Sequence, residues 1–383
     1  MDKAASLVML CRHDQKTRCP GVLMHTQMLS ATNLMQASFF KKGIRFSRHK
    51  HPGAALSLAT RWPARYLSLR IWTCAEHSAL AHLVVSNYAH GRHRVHERKI
   101  LQQLRHPFVL RLYMTYQSRD ACYFLLELIQ GGELFSRLTS FSDGEFPPQE
   151  CKFHASATLL ALEYIHSQNM VYRDLKPENL LIDTDGYVRL VDFGFAKRLN
   201  AEHSTFTIIG TPEYLSPECA LGQGYRFDVD LWAFGVLIFE MLKGNGPFCP
   251  ADPDDTMSIF KLISDCRIEF SKKEVAQFGE AATSLCRQLL HRSRKRRLGS
   301  LKGGMNNVKE HAYFIGIDWH AIFQRRHPAP WLPEVTDPFD TSCFDEYDET
   351  MNIPLFRGDQ SAFSEFSSEG LVNDAHLIKN STR

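Results

Sequence analysis

Two short motifs constrain what this chain can fold into more than any other part of its 383 residues. The first, Tyr172–Asn179, reads Tyr-Arg-Asp-Leu-Lys-Pro-Glu-Asn, and the second, Asp192–Gly194, reads Asp-Phe-Gly. Together they offer carboxylate and amide oxygens and one lysine. Mg²⁺ prefers a few such hard oxygen ligands, completed by phosphate oxygens and water. The two motifs therefore predict a magnesium site beside a further carboxylate.

This set of residues fits phosphoryl transfer, which needs metal ions on the phosphates, a group that orients the hydroxyl nucleophile, and fixed positive charge. Asp174 can accept or orient the hydroxyl proton, and Lys176 can neutralise charge on the transferring phosphoryl group. Asn179 and Asp192 are the predicted Mg²⁺ ligands. Gly194 lets the backbone turn after Asp192. The motifs therefore predict a protein kinase that uses ATP and Mg²⁺.

Further residues extend this to a resemblance with one group of kinases. From about His93 onward, the sequence resembles the cAMP- and cGMP-dependent kinases of the AGC group of serine/threonine kinases. The resemblance rests on Tyr172 in the catalytic loop, on the runs 192–197 and 210–213, and on 340–345 in the tail. It implies an α+β, two-lobe protein kinase-like fold with a mainly helical large lobe, an incomplete small lobe and an extended C-terminal tail.

The resemblance and changes in composition divide the chain into three parts. Residues 1–92 form a basic segment of unclear structure, with 13 Lys+Arg against 3 Asp+Glu counted along the sequence. Residues 93–314 are the predicted kinase domain, with a partial small lobe at 93–128 and a large lobe at 129–314. Residues 315–383 are read as an extended tail. The basic segment could meet acidic partners or membrane phosphates, resemble a transit peptide, or carry no function.

Local patterns predict several elements. Apolar spacing predicts helices at 93–104, 149–168, 226–243 and 254–264. Runs rich in β-branched and aromatic residues predict strands at 109–116, 123–128, 180–183 and 188–191.

The resemblance implies roles for residues around the nucleotide. It assigns Glu127, Ile129, Asp192 and Phe344 to the ATP site. Glu97 matches the helix carboxylate that pairs with the phosphate-binding lysine; the plain alternative is a solvated helix face. Near the C-terminus, Phe363–Phe366 resembles the hydrophobic motif that docks on the small lobe.

Other implied roles concern regulation and substrates. Thr207 matches the activation-loop phosphosite, and the basic residues implied to receive its phosphate are Arg173, Lys197 and His93. The positions implied to recognise arginine before the phosphoacceptor are Glu133, Glu178 and Glu240. The apolar pocket for the residue after the phosphoacceptor is implied to contain Ile208, Pro212 and Leu215. The implied structural residues are Asp230, which anchors the catalytic loop, and the buried pair Glu218 and Arg297.

Two parts that the resemblance implies are missing from residues 1–92. There is no Gly-x-Gly-x-x-Gly run, and no two of the four glycines are close together. No lysine occurs between Lys50 and Lys99, although Ala79–Ala81 lies roughly where Ala-Leu-Lys would be expected. Two strands beside one helix would also leave an unpaired sheet edge.

Three explanations for the missing phosphate clamp remain open. An alternative transcript or a faulty gene model could have replaced the true first exons, the chain could be an inactive pseudokinase or scaffold, or the small lobe could be real but unrecognisable. We favour the first, because Asp174, Asn179 and Asp192 are all present. The expected function is a serine/threonine kinase acting on basic, arginine-directed protein substrates, and the alternative is an inactive binding module.

Cysteine usage and hydrophobicity indicate the cellular compartment in which the protein is expected to act. The ten cysteines include no Cys-x-x-Cys pair, which argues against zinc and a secreted disulfide framework and favours a reducing compartment. We therefore expect a cytoplasmic protein, with a nuclear pool also compatible. No apolar run reaches the length of a membrane span. The expected partners are basic protein substrates and a regulatory subunit or cyclic-nucleotide-binding protein, not nucleic acid.

Overall fold

The computed structural model describes residues 46–47, 71–74, 79–87, 91–117, 121–200, 204–252, 255–300, 302–338, 340–344 and 366. They divide into two compact units. Unit 1 contains the described residues within 1–103, 110–128 and 335–383, and unit 2 contains those within 104–109 and 129–334.

Unit 1 is built on a five-stranded antiparallel sheet with one long helix. Its elements, in chain order, are β1 (Phe46–Ser47), β2 (Ile71–Cys74), β3 (Ala79–Asn87), α1 (Gly91–Leu101), β4 (Leu112–Gln117) and β5 (Ala121–Glu127). The strand order is β1-β2-β3-β5-β4. In the register, β5 Leu125 lies opposite Leu83 of β3 and Met114 of β4, so β5 has a hydrogen-bonded neighbour on both sides.

This sheet corrects the expectation of two strands with an unpaired edge. Three of its five strands, β1, β2 and β3, precede residue 93. They fall in the segment whose structure was unclear from the sequence. The reason lies in β3, Ala-Leu-Ala-His-Leu-Val-Val-Ser-Asn, which is flanked by strands on both sides. A strand inside a sheet is held by backbone hydrogen bonds along both edges, so its side chains need not alternate strictly between apolar and polar.

Phe366 near the C-terminus is buried in unit 1. Its ring meets that of Phe124 edge-on at 5.3 Å between centroids, and the Arg98 guanidinium lies 5.5 Å from its centroid. The Thr115 hydroxyl donates to the Phe366 carbonyl at 2.6 Å. The other residues of the predicted motif, Phe363–Glu365, lie outside the described residues.

Unit 2 is mainly helical. Its α-helices are α2 (Leu134–Thr139), α3 (Pro148–Ser167), α4 (Pro217–Ala220), α5 (Asp228–Lys243), α6 (Thr256–Asp265), α7 (Lys272–Phe278), α8 (Glu280–Leu289), α9 (Met305–Lys309) and α10 (Trp319–Phe323). Its strands are β6 (Met170–Val171), β7 (Leu180–Ile182), β8 (Val188–Leu190) and β9 (Lys197–Arg198). Within the described ranges, none of the helices is long and apolar enough to cross a membrane.

The core of unit 2 is organised around α5. Almost every residue of this helix is buried, and α5 packs against α3 and α8. A side chain at Gly235 would place its Cβ 2.8 Å from Cβ of Leu289. The helices therefore approach each other as closely as they do because position 235 carries no side chain. The predicted helices at 149–168 and 226–243 correspond to α3 and α5.

A hairpin of β7 and β8 carries the second catalytic motif, and the polypeptide after α10 passes over its turn. A Cβ at Gly186 (φ 82°) would lie 2.5 Å from the Trp331 carbonyl oxygen, so the turn requires glycine. The Tyr187 hydroxyl donates to the His327 carbonyl at 2.6 Å. Trp331 in turn lies under the guanidinium of Arg137, 4.3 Å from the ring centroid. These contacts hold the first part of the predicted tail against unit 2.

Two buried side chains of opposite charge form an ion pair beside α4 in unit 2. Arg297 is fully buried, and its guanidinium donates to both carboxylate oxygens of Glu218 at 2.6 and 2.9 Å. The same guanidinium lies 4.9 Å from the centroid of the Trp232 ring. Arg294 holds Asp228 in the same region. This network ties α4 and α5 to the segment that follows α8.

Replacing Arg297 with methionine should lower the free energy of unfolding by about 3–5 kcal/mol, because it leaves the Glu218 carboxylate buried without its partner. Urea unfolding monitored by circular dichroism measures the change. Arg296, the exposed neighbouring residue, provides the matched control, since Arg296→Met should change stability by less than about 0.5 kcal/mol. Equal losses for the two variants would contradict this account of the ion pair.

Candidate active site

A buried carboxylate fixes the start of the first motif, Tyr172–Asn179, which is called the catalytic loop below. Asp230 on α5 is fully buried. Its Oδ2 accepts from the Tyr172 backbone N–H at 2.8 Å and lies 2.7 Å from Nε2 of His166. Its Oδ1 accepts from the Arg173 N–H at 2.8 Å. Arg173 has a left-handed backbone (φ 73°), a strained conformation that these hydrogen bonds hold in place.

Asp174 is the next residue of the loop, and both of its carboxylate oxygens accept hydrogen bonds. The Asn179 side-chain amide donates to Asp174 Oδ2 at 2.9 Å and to the Asp174 carbonyl at 2.7 Å. The Thr211 hydroxyl donates to Asp174 Oδ1 at 3.1 Å, and Lys176 Nζ donates to that hydroxyl at 2.9 Å. Lys176 Nζ also lies 3.9 Å from Asp174 Oδ2. The structure therefore brings a carboxylate and an ammonium group together in a fixed orientation.

Thr211 is a site residue that the sequence reasoning missed. It appeared only as part of the run 210–213, yet its hydroxyl bridges Lys176 and Asp174. The signal that could have identified it is the position of a hydroxyl directly after Gly210. That glycine has φ 115° and leaves no room for a Cβ, which would lie 2.6 Å from the Arg173 carbonyl oxygen. The residues from Asp192 to Glu218, called the activation segment below, therefore touch the catalytic loop at Thr211.

The second motif lies beside the first. The Val191 N–H donates to the Asn179 carbonyl at 3.0 Å, which brings the start of Asp192–Gly194 next to the catalytic loop. Asp192 has a left-handed backbone (φ 51°, ψ 81°), and its Oδ1 accepts from the Gly194 N–H at 3.1 Å. Tyr172 supports this arrangement from below through a hydrogen bond to the Val191 carbonyl.

The donor set suits Mg²⁺ completed by phosphate oxygens. The amide nitrogen of Asn179 is used on Asp174, so its side-chain oxygen is the atom that a cation would take. Asp192 adds a carboxylate on the adjacent segment. Among the described residues, no group of three or more His, Cys, Asp or Glu is arranged to hold a metal alone. Mg²⁺ commonly binds through one or two protein carboxylates plus substrate phosphates, so these residues fit that ion.

The activation segment places the predicted phosphosite at the surface. Thr207 is exposed, and its carbonyl accepts from the Tyr225 hydroxyl at 2.6 Å. Arg173 Nε donates to the Phe195 carbonyl at 2.7 Å, and Lys197 Nζ donates to the Thr205 hydroxyl at 3.0 Å. Both cations therefore lie along this segment but hydrogen-bond to atoms other than the Thr207 hydroxyl. The side chain of His93 lies outside the described residues.

Two of the three predicted arginine-binding acids lie together. The Tyr214 hydroxyl donates to Glu240 Oε2. Burial raises the pKa of Glu240 to about 7, the charges of Glu178 and Glu213 act in the same direction, and the Tyr214 hydrogen bond opposes them. Glu133 is buried directly before α2. Glu178, Glu213 and Glu240 thus form an acidic cluster. The sequence analysis assigned no role to Glu213 or to Tyr214, which donates to Glu240.

The three residues of the predicted apolar pocket, Ile208, Pro212 and Leu215, differ in exposure. Ile208 exposes 52% of its surface, whereas Leu215 is buried. Pro212 begins a short 3-10 turn that ends at Tyr214. A cavity beneath this turn is lined by Ile209 and Leu215 rather than by Ile208. Of the three predicted residues, Ile208 is therefore the most exposed.

The remaining predicted residues belong to one unit or the other. In unit 1, Glu97 is buried with Arg94, and the Glu127 carboxylate accepts from the Arg111 N–H at 3.4 Å. Phe344, also in unit 1, is half-buried in the tail. Ile129 is buried in unit 2.

Comparison with known proteins gives this geometry its context. Residues 76–314 match the protein kinase domain family. A cAMP-dependent protein kinase catalytic subunit of Dictyostelium discoideum is 45% identical over 253 residues, which are 66% of this chain and 37% of that protein. The cGMP-dependent protein kinase 2 of Rattus norvegicus is 40% identical over 68% of this chain and 34% of its own length.

A shorter relative is covered more fully. The cAMP-dependent protein kinase catalytic subunit PRKX of Homo sapiens is 41% identical over 258 residues, which are 67% of this chain and 69% of that protein. The chain spans only about a third of the length of the Dictyostelium and rat relatives. The family match nevertheless covers most of the chain and includes both catalytic motifs. The chain therefore belongs to the protein kinase family, among the AGC-like kinases related to the cAMP- and cGMP-dependent enzymes.

Proposed function

We propose that this chain transfers the γ-phosphoryl group of ATP to serine or threonine in proteins that carry arginine before the phosphoacceptor. The observation that carries the proposal is the fixed carboxylate of Asp174, which Asn179 and Thr211 orient beside the ammonium group of Lys176. Phosphoryl transfer depends mainly on positioning and electrostatic stabilisation. An oriented carboxylate next to a fixed cation supplies both.

Each residue of the loop has a separate task in this proposal. Asp174 orients the substrate hydroxyl and accepts its proton as the oxygen attacks. Lys176 stabilises negative charge on the transferring group. Asn179 and Asp192 would hold Mg²⁺, which would neutralise charge on the phosphates. Asp230 acts through the backbone, since its hydrogen bonds fix the direction in which Asp174 leaves the loop.

The acidic cluster of Glu178, Glu213 and Glu240 supports the substrate preference. Carboxylates bind a guanidinium group through paired hydrogen bonds, so a peptide with arginine before the phosphoacceptor suits this surface. Burial is the main cause of the raised pKa of Glu240, and repulsion from the charges of Glu178 and Glu213 adds to it. A bound arginine would relieve that repulsion.

A second candidate function is favoured by one observation. The lysine expected in the small lobe is absent between Lys50 and Lys99. Loss of one preorganised electrostatic contact costs on the order of 10²–10³ in rate. A chain without that lysine could serve as a binding module that presents its acidic surface to basic segments.

Two further proposals concern partners and location. A regulatory subunit or cyclic-nucleotide-binding partner is proposed from the names of the relatives. A cytoplasmic location is proposed from the scattered cysteines.

The tests use a peptide of the form Arg-Arg-x-Ser followed by a hydrophobic residue. Asp174→Asn should lower kcat about 10²–10⁴-fold, because it removes the proton acceptor, while the KM for ATP changes little. Steady-state transfer of labelled phosphate measures both constants. Asp183→Asn is the matched control and should keep its kcat, because Asp183 lies in the turn of the β7–β8 hairpin and is paired with Arg189 and Arg325. A wild-type rate from Asp174→Asn would refute the assigned role.

Substrate binding should also depend on pH through Glu240. A carboxyl group with a pKa of about 7 is mostly ionised at pH 8 and mostly neutral at pH 6. The KM for the arginine peptide should therefore rise roughly three- to tenfold as the pH falls from 8 to 6.

Glu240→Gln, measured in the same assay, should raise that KM at pH 8 and flatten the profile, because its amide carries no charge at either pH. A peptide with alanine in place of both arginines controls for effects of pH on catalysis. If Glu240→Gln leaves the slope of the profile unchanged, another group controls the pH dependence.

A further inference from the structure

A strongly basic segment follows α8 in unit 2. Residues 291–297 read His-Arg-Ser-Arg-Lys-Arg-Arg, with five Lys+Arg and no Asp or Glu. Two of the five cations are held by carboxylates from elsewhere in unit 2. Arg297 is fully buried against Glu218, and Arg294 Nη2 donates to Asp228 Oδ1 at 2.9 Å. The three cations that remain are exposed, and they are Arg292, Lys295 and Arg296.

A fourth exposed cation lies beside this segment. Cys266 directly follows α6, and its thiol donates to the Leu290 carbonyl at 3.0 Å. This hydrogen bond brings the end of α6 next to the start of the basic segment. Arg267, the residue after Cys266, is exposed. The basic surface, as the group is called below, consists of Arg267, Arg292, Lys295 and Arg296.

The charges of the basic surface are not balanced within the fold. Among the residues that the structure describes, none of its four side chains has a carboxylate partner, whereas Arg294 and Arg297 of the same segment do. Like charges that lie close together repel one another and disfavour the compact state. Internal ion pairing therefore does not account for these four cations, and an anionic partner would relieve their repulsion.

The fold limits the kind of partner that can read this segment. The run Arg-Lys-Arg-Arg at 294–297 has the composition of a nuclear localisation signal, which is a linear, Lys- and Arg-rich peptide. In the folded protein, however, Arg297 is buried with Glu218 and Arg294 is paired with Asp228. A receptor for the extended peptide would have to break both pairs. The folded chain instead offers an array of charges on a surface.

The surroundings of the basic surface favour a lipid partner over a protein or a nucleic acid. No large apolar or aromatic side chain is strongly exposed within residues 265–298. Protein interfaces depend on such side chains as anchors, and single-stranded nucleic acids stack on exposed aromatic rings. A plane of anionic lipid headgroups needs neither, because it attracts clustered Lys and Arg by charge alone.

We propose that the basic surface binds the anionic headgroups of a membrane and so attaches unit 2 to the lipid surface. The guanidinium groups of Arg267, Arg292 and Arg296 can each pair with two oxygens of a headgroup phosphate or carboxylate, and Lys295 adds a point charge. Each cation near an anionic leaflet strengthens binding about fivefold. The inference goes beyond the proposed function, since it requires no phosphoryl transfer.

Vesicle sedimentation with the full chain tests this inference. The vesicles contain phosphatidylcholine mixed with phosphatidylserine, or phosphatidylcholine alone. The wild-type chain should prefer the anionic vesicles, and added salt should weaken its binding because it screens exposed charges. The double variant Lys295→Gln/Arg296→Gln should lower the partition coefficient on anionic vesicles roughly 10- to 30-fold, since it removes two cations of the basic surface.

A second double variant controls for the change in net charge. Lys272 and Lys273 are exposed lysines at the start of α7, outside the basic surface. Lys272→Gln/Lys273→Gln removes the same charge from unit 2 and should lower the partition coefficient less than about threefold, because the attraction falls off within a Debye length of the membrane. Thermal unfolding shows whether each variant is folded under the conditions of the assay.

Each outcome decides for or against the basic surface. A loss of binding in Lys295→Gln/Arg296→Gln that Lys272→Gln/Lys273→Gln does not share supports the proposal. Wild-type binding that both variants keep would assign the attraction to another part of the chain, such as the basic segment 1–92, and overturn it. Equal binding to both kinds of vesicle would also overturn it. So would tighter binding to duplex DNA than to anionic vesicles, because the surface would then be a nucleic-acid site.

Discussion

The carboxylate of Asp230 is the constraint on which the site depends. It is fully buried on α5 and receives the backbone N–H groups of Tyr172 and Arg173. A buried carboxylate needs such donors, and they in turn hold Arg173 in a left-handed conformation. From that fixed point the chain directs Asp174 toward Asn179 and Thr211. The core helix α5 thus determines the geometry of the catalytic loop. Tight packing of this helix therefore also keeps the catalytic side chains in fixed positions.

The two units contribute differently to the proposed function. Unit 2 contains the carboxylates, the amide and the lysine of the two catalytic motifs, on segments joined by backbone hydrogen bonds. Unit 1 has a five-stranded sheet and a helix but lacks a lysine on β3. On its helix α1, the carboxylate of Glu97 is buried and paired with Arg94. The kinase motifs of unit 2 are therefore complete, whereas the lysine that the family resemblance implies for unit 1 is absent between Lys50 and Lys99.

Much of unit 2 could be predicted from sequence, because its long helices α3 and α5 and the motif-bearing hairpin have strong local patterns. Most of the sheet of unit 1 could not, since β1, β2 and β3 are identified by their strand partners and not by their own periodicity. Thr211 and Arg94 were missed for a related reason. Thr211 contacts Asp174 across the activation segment, and Arg94 contacts Glu97 along a helix whose charges allowed a solvated face as the alternative. Such contacts leave little trace in a linear pattern.

The most direct test of the central claim is phosphorylation of an Arg-Arg-x-Ser-hydrophobic peptide by this exact chain at saturating ATP and Mg²⁺. Asp192→Ala serves as the comparison, because it removes the predicted metal ligand of the second motif. Cooperative unfolding of both proteins establishes that they are folded. The account predicts phosphate transfer by the wild-type chain that Asp192→Ala abolishes. A folded wild-type chain with no more activity than Asp192→Ala would contradict it and leave a binding module with the architecture of a kinase.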